Sequence, residues 1–486
     1  MSKRTAKRET EREVSRRALI QWSLAAGAAL GVSRGTILDV LERTAGKRTA
    51  FAAAANPTKR SIHIRGGQGG CAWYQLLWPH NDVAAARKAG SSWTFTAAQT
   101  RTFQAAGGNV LTTGPNTPWT TLPAERQVTA LMAGVNEIHN QTPPKVVRSL
   151  PTGSMFAIAS VLQADIPTVV PVITVGSVAF GDAPGAPQPA SATSADDIVG
   201  LFNSAASQAT GLLHSSNHAD LYKAQYETLA QLNRASTVST QRTAYHSGRN
   251  ASAFLGTNLA SVLAYRTNAT RSGADDALYG MTQGSPFDSI SNGGGDTGGP
   301  RRDQIANFGR ALAASAKAFE HGLTASVVLP CLEDDPHGAF AGGTLTNDSI
   351  ATLATLRSML DGFMSDLMAR NDPATGGKLA DNVVITFEGD TPKDPTNTNI
   401  WPDQVPGQSN WMYVLGCGKL KTGWFGGIDR NGGVKGFDPA TGAATTTPDT
   451  TTQAQAAVAA VAYAITNGDK RRVGDFTQLN IDGLVV

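Results

Sequence analysis

Four ionisable side chains stand just past apolar runs. Asp335 and His337 lie in Pro330-Cys331-Leu332-Glu333-Asp334-Asp335-Pro336-His337-Gly338, and Glu388 and Asp390 lie in Phe387-Glu388-Gly389-Asp390-Thr391-Pro392. Carboxylates and imidazoles are the donors that hold a divalent ion such as zinc. Two such ions side by side can clamp a phosphate or sulfate ester for in-line displacement. His80 and Asp82, in Pro79-His80-Asn81-Asp82, are further candidates. The same residue types also populate ordinary turns, so spacing alone leaves plain polar loops as the alternative. Ser154, after Pro151-Thr152-Gly153 and ahead of an apolar segment, is a weak candidate for a catalytic hydroxyl at a helix N-terminus. An ordinary N-cap is its competing role.

Strands and helices must bring these residues together. Short apolar runs bounded by Gly, Pro, Asn or Asp occur at 61–65, 109–113, 325–330, 382–387 and 411–415. Buried strands of a parallel sheet have this look. Between them lie segments of helical period: Val128, Leu131, Met132, Val135 and Ile138; Ile198, Leu201, Phe202 and Ala205 behind Ser194; Ile305, Phe308, Leu312 and Phe319 after Asp303; and Ile350, Leu353, Leu356, Leu360, Phe363 and Leu367. A last helix is expected over 453–465. The alternation predicts an α/β fold, a mostly parallel sheet with helices on both faces.

Ligands of such sheets bind at the carboxyl ends of the strands. The stretches that follow the strands are therefore the place to look, and they include Arg65-Gly66-Gly67-Gln68-Gly69-Gly70-Cys71 and Gly416-Cys417-Gly418. Gly293-Gly294-Gly295 is no phosphate loop, because it lacks a preceding strand and a Lys-Ser/Thr ending. It reads as a flexible linker.

The N-terminus carries a different signal. Lys3, Arg4, Lys7, Arg8, Arg12, Arg16 and Arg17 precede an apolar stretch from Trp22 to Val32. A basic n-region, a short apolar h-region and small residues such as Ala52-Ala53-Ala54-Ala55 make a secretory signal. Arg16 and Arg17, after Ser15 and before Ala18-Leu19, fit its twin-arginine form. The apolar stretch is shorter than the roughly 20 residues that span a bilayer. Residues 1–55 are thus expected to be signal and linker, and 56–486 a single α/β domain. The expected destination is the periplasm, the cell surface or the medium, with the twin-arginine export machinery as a partner and no permanent membrane helix.

The net charge is +3, with much of the positive charge in the leader, so nucleic acid is a poor candidate partner. Three cysteines, Cys71, Cys331 and Cys417, are too few and scattered for a disulfide framework. Trp73, Trp78, Trp93 and Trp119 offer faces on which sugars could stack, but core packing accounts for them as well.

Taken in order, these motifs resemble an exported bacterial family known as domain of unknown function 1501, within the alkaline phosphatase and sulfatase superfamily. The leader, Arg65-Gly66-Gly67, Asp335-Pro336-His337, Phe387-Glu388-Gly389-Asp390-Thr391-Pro392, and Val414-Leu415-Gly416-Cys417-Gly418-Lys419 followed by Gly423-Trp424-Phe425-Gly426 carry the resemblance. The middle third of the chain matches poorly. The resemblance implies an alkaline phosphatase-like sheet between helices. It also implies two divalent metals, often zinc, held by Asp and His at strand ends, with a Ser, Thr or modified Cys attacking the ester.

This chain departs from that pattern twice. Gln68-Gly69-Gly70 stands where the family has an Asp after the first strand, and Pro406-Gly407-Gln408-Ser409-Asn410 stands where it has Asp-His-Gly. The metal candidates carried over are Asp335, His337, Glu388 and Asp390, and no nucleophile transfers. A reduced ligand set binds a divalent ion weakly. The expectation is a degenerate site in a non-catalytic binding or assembly protein, with a metal-dependent phosphate or sulfate ester hydrolase as the alternative.

Overall fold

The computed structural model describes residues 57–66, 71–82, 100–104, 109–133, 147, 150–166, 168–202, 259–292, 301–332, 346–389, 410–429 and 433–486. Its centre is an eight-stranded sheet of order β10-β4-β9-β8-β1-β7-β5-β6. These strands are β1 (Arg60–Arg65), β4 (Thr129–Ala133), β5 (Val172–Val175), β6 (Ala190–Ala192), β7 (Ser326–Pro330), β8 (Val383–Glu388), β9 (Asn410–Leu415) and β10 (Gly423–Phe425). β1 pairs in parallel with both β7 and β8, β7 with β5, and β5 with β6. β9 is antiparallel to β8 and to β4, and β10 is parallel to β4. Seven strands therefore point one way and β9 alone runs against them. The sheet is mixed but mostly parallel, as the sequence predicts.

Both faces are covered. On β1 (Arg-Ser-Ile-His-Ile-Arg), Ile62 and Ile64 point into one core, and Ser61, His63 and Arg65 alternate to the other face. The first core holds α1 (Cys71–Leu77), α5 (Arg301–Glu320) and α6 (Asn347–Ala369), with Val327, Leu329, Ile385, Phe387, Trp411 and Tyr413 from the sheet. The second holds α2 (Met155–Leu162) and α7 (Thr450–Ile465) against Leu131, Val172, Val328, Val384, Met412 and Val414. Between them in sequence lie the short helices α3 (Leu259–Leu263) and α4 (Ala274–Leu278), and α8 (Lys470–Val473) follows α7.

Local chemistry sets the helix ends. Thr346 caps α6 by accepting from the Ser349 amide at 3.1 Å, and Leu353, Leu356, Leu360, Phe363 and Leu367 then bury one stripe. Asp449 caps α7 in the same way, accepting from Thr452 at 3.1 Å. The alanine-rich α7 is buried nearly all round, because small side chains let it lie close to the sheet and to α2. Residues 195–202 are helical too, and the Ser194 hydroxyl accepts from the Asp197 amide.

Two expectations need correction. The apolar residues from Val128 to Met132 do not begin a helix: 129–133 form β4, with Ala130 and Met132 in one core and Leu131 in the other. A strand buried on both faces has no polar side, so its period of two is hidden and a helical period can be read into it. The run at 109–113 is a strand, β3 (Val110–Thr113), but outside the main sheet. It pairs antiparallel with β2 (Arg101–Gln104) in a two-stranded ladder. A separate three-stranded antiparallel sheet contains β11 (Gly427–Ile428), β12 (Val434–Phe437) and β13 (Ala444–Thr445). Among the described residues no helix is long and apolar enough to cross a membrane.

Candidate functional site

β1, β7 and β8 end level with one another, since Arg65 is in register with Pro330 on one side and with Glu388 on the other. The ladder continues one step past their ends: Cys331 N–H donates to the Arg65 carbonyl and Gly66 N–H to the Glu388 carbonyl, both at 2.8 Å. This is the carboxyl edge at the middle of the sheet, where open α/β sheets take their ligands.

Glu388 is fully buried there. Its Oε2 accepts from the Thr386 hydroxyl at 2.8 Å, and Thr386 Oγ1 lies 2.9 Å from His63 Nδ1. A hydroxyl has one proton to give. If Thr386 gives it to Glu388, His63 must donate from Nδ1, and its Nε2 is then a bare acceptor. Nε2 of His63, Oε1 of Glu388 and Nε of Arg65 are all buried without a hydrogen-bond partner.

Burial sets the protonation of this group. It pulls the imidazole of His63 down to about 3, so the ring is neutral. It pushes the carboxyl of Glu388 up to about 8, against the opposing pull of the Thr386 hydrogen bond and the Arg65 charge. The Arg65 guanidinium is charged, 8 % exposed, and makes no ion pair with Glu388 although the two residues are neighbours in the ladder.

The other sequence candidates fall in several places. Asp335, His337 and Asp390 lie outside the described residues, as do Arg16 and Arg17. The chain carrying the first three leaves from β7 and β8, the two neighbours of β1.

His80 and Asp82 do not join Glu388. His80 stacks edge-on against Trp424 of β10 at 5.0 Å, and its Nδ1 accepts from the Asp82 amide at 3.2 Å. β9 and β4 separate β10 from β8, a span of about 14 Å at the usual strand spacing. Burial lowers His80 to about 4, with Asp82 pulling the other way, and Asp82 pairs instead with Lys435 at 3.5 Å.

Gly416-Cys417-Gly418 is at the opposite edge, because β9 runs backwards. Cys417 Sγ lies 3.1 Å from the carbonyl of Val383, the first residue of β8. Cys331 does sit at the carboxyl edge, but burial pushes its thiol up to about 12 and it stays protonated.

Ser154 stands at the N-terminus of α2, buried. Its Oγ donates to the Phe180 carbonyl at 2.7 Å and accepts from the Ala157 amide at 3.2 Å, the geometry of an N-cap. Trp73, Trp78 and Trp119 lie buried on the other side of the sheet. Trp78 packs on Trp119, Phe387 and Tyr413 at 5.5, 5.3 and 5.0 Å, so these rings are core and offer no stacking platform. Trp93 is outside the described residues.

Glu388 does not suit a cation as it stands. Burial holds its carboxyl protonated and a guanidinium stands beside it, so a metal would have to displace the proton and sit close to a positive charge. Among the described residues no three His, Cys, Asp or Glu side chains gather closely enough to hold a metal ion. Asn410, the last residue of the departing stretch Pro406–Asn410, opens β9 beside this site, donating from Nδ2 to the Gly389 carbonyl at 2.9 Å. His63 and Thr386 are the site residues that the sequence reading passes over. Their signal is polar residues at every second position of apolar strands, Ser61-His63-Arg65 and Thr386-Glu388. No family model matches the chain, and neither does any curated protein or solved structure.

Proposed function

We propose that this chain is an exported, alkaline phosphatase-like α/β protein with a degenerate metal site, acting as a binding or assembly protein rather than a catalyst. One observation carries the reading: the buried guanidinium of Arg65 lies in register with Glu388, putting a fixed positive charge beside the carboxyl that a metal would need. A metal at Glu388 would bring a second cation close to this guanidinium, and like charges at short range oppose each other. Gln68-Gly69-Gly70 and Pro406–Asn410, which lack the expected Asp and Asp-His-Gly, point the same way. The basic leader with Arg16 and Arg17 supports export by the twin-arginine machinery.

The test is the metal content of protein purified without chelator, together with assays on aryl phosphate and aryl sulfate esters. The expected outcome is substoichiometric metal and no turnover. Zinc near one equivalent with ester hydrolysis, both lost in Asp335→Ala/His337→Ala protein, would establish the alternative, a metal-dependent hydrolase, and overturn this reading.

A further inference from the structure

The fold takes hold of the chain abruptly at Thr58. Pro57 is exposed, whereas Thr58 and Lys59 are only 7 % and 5 % exposed. Thr58 Oγ1 donates to Asp165 Oδ2 at 2.7 Å and accepts from Arg472 Nη1 at 2.6 Å. The Lys59 and Arg60 amides donate to the carbonyls of Ile465 and Asn382, both at 2.8 Å. Thr58 therefore cannot be drawn into another protein's cleft without breaking buried hydrogen bonds. The alanines Ala52 to Ala55 stand just upstream, with Asn56 between them and Pro57.

From this we infer that a signal peptidase removes the leader from the folded chain after Ala52 or Ala54, and that the fold itself forbids the cut after Ala55.

Two constraints meet here. A signal peptidase takes small side chains at the residue before the cut and at the one two places further upstream. Three bonds in this stretch qualify: after Ala52, with Ala50; after Ala54, with Ala52; and after Ala55, with Ala53. The bond after Ala53 fails on Phe51. The peptidase also holds its substrate extended, over about three residues on each side of the bond. A cut after Ala54 puts exposed Pro57 at the third place, whereas a cut after Ala55 puts buried Thr58 there.

The step is a hydrolysis. Water oxygen bonds to the alanine carbonyl carbon, the C–N bond breaks, and a proton passes to the departing amine. Once the leader is gone, the apolar stretch Trp22 to Val32 no longer tethers the domain to a membrane.

Leader and peptidase meet only on an exporting route, so this step rests on the export proposed above, and the two fail separately. A chain kept inside the cell but cut by purified peptidase removes only the export reading. A chain exported with its leader intact removes only this step.

The experiment incubates the purified full chain with purified signal peptidase in detergent and reads the product by N-terminal sequencing and intact mass. The expected product begins at Ala53 or Ala55. Ala52→Phe spoils both permitted bonds at once, so that chain should stay uncut although Ala53 and Ala55 still flank a suitable bond. Inserting Gly-Ser-Gly between Asn56 and Pro57 of the Ala52→Phe protein moves Thr58 out of the cleft and should restore cutting, now after Ala55. An uncut parent, a product beginning at Asn56 or later, cutting of the Ala52→Phe chain, or no rescue by the insertion would overturn the proposal.

Discussion

A carboxyl group cut off from water keeps its proton past neutrality, and this makes Glu388 a term in the stability of the fold. Its ordinary value of 4.5 rises to about 8 on burial. A raised carboxyl contributes stability that is complete below pH 4.5 and is lost as pH climbs through about 8, since only the unfolded chain can ionise in that window. His63 has the opposite sign. Its imidazole falls from 6.5 to about 3, so its contribution is complete above pH 6.5 and disappears as pH drops toward 3. Between pH 4.5 and 6.5 the falling slope of Glu388 opposes the rising slopes of His63 and His80, and above 6.5 these imidazoles no longer contribute while Glu388 still does. The unfolding free energy from denaturant titration should therefore decline between pH 6.5 and 8, by about 1 kcal/mol per pH unit. Glu388→Gln, which cannot ionise, should abolish that decline, and an unchanged slope in the variant would refute the assignment. Glu388 is legible in the sequence as an acid closing an apolar run. Its neighbour Arg65 is not, because register is set by packing across strands distant in sequence and no local pattern encodes it.

At the scale of elements, close packing around α6 is the feature most exposed to a single change. A Cβ on Gly362 would lie 2.0 Å from the carbonyl oxygen of Leu278, a backbone atom that cannot rotate away. Gly362→Ala should therefore push α6 and α4 apart and cost about 1–3 kcal/mol, despite alanine's better helix propensity. Urea unfolding of the variant checks this, and a stabilised Gly362→Ala protein would contradict it. α6 itself is plain in the sequence, because it is amphipathic, long and capped by Thr346. β1, β7, β8 and β9 are equally plain, being apolar runs that end on turn residues. β4 is hidden because both its faces are buried, and β10 because three residues show no period. The reversal of β9 is also invisible locally. It moves Cys417 to the far edge while bringing Asn410 beside Glu388.

For the whole molecule, the two ends of the described chain are tied together. Lys59 N–H donates to the Ile465 carbonyl at 2.8 Å, and Lys59 Nζ to the Asp381 carbonyl at 2.5 Å. Arg472, from the C-terminal helix α8, donates to Thr58 Oγ1 at 2.6 Å and also reaches the Leu162 carbonyl. Export of such an intact fold is the task of the twin-arginine route proposed above. Replacing Arg16 and Arg17 together by Lys should leave the protein inside the cell, folded, as fractionation and protease protection would register. Undiminished secretion of the double variant would rule that route out.

The central position of β1 has a consequence for biosynthesis. β1 leaves the ribosome first among the sheet strands, yet its hydrogen-bonding neighbours come 265 and 323 residues later, as Ser61 with Ser326 and His63 with Thr386. At about 5–20 residues per second, translation keeps β1 waiting many seconds for either flank. The nascent polypeptide must spend that interval with its central strand unpaired and open to chaperones. Only when β8 emerges can the middle of the sheet close, in a late step that commits nearly the whole chain at once.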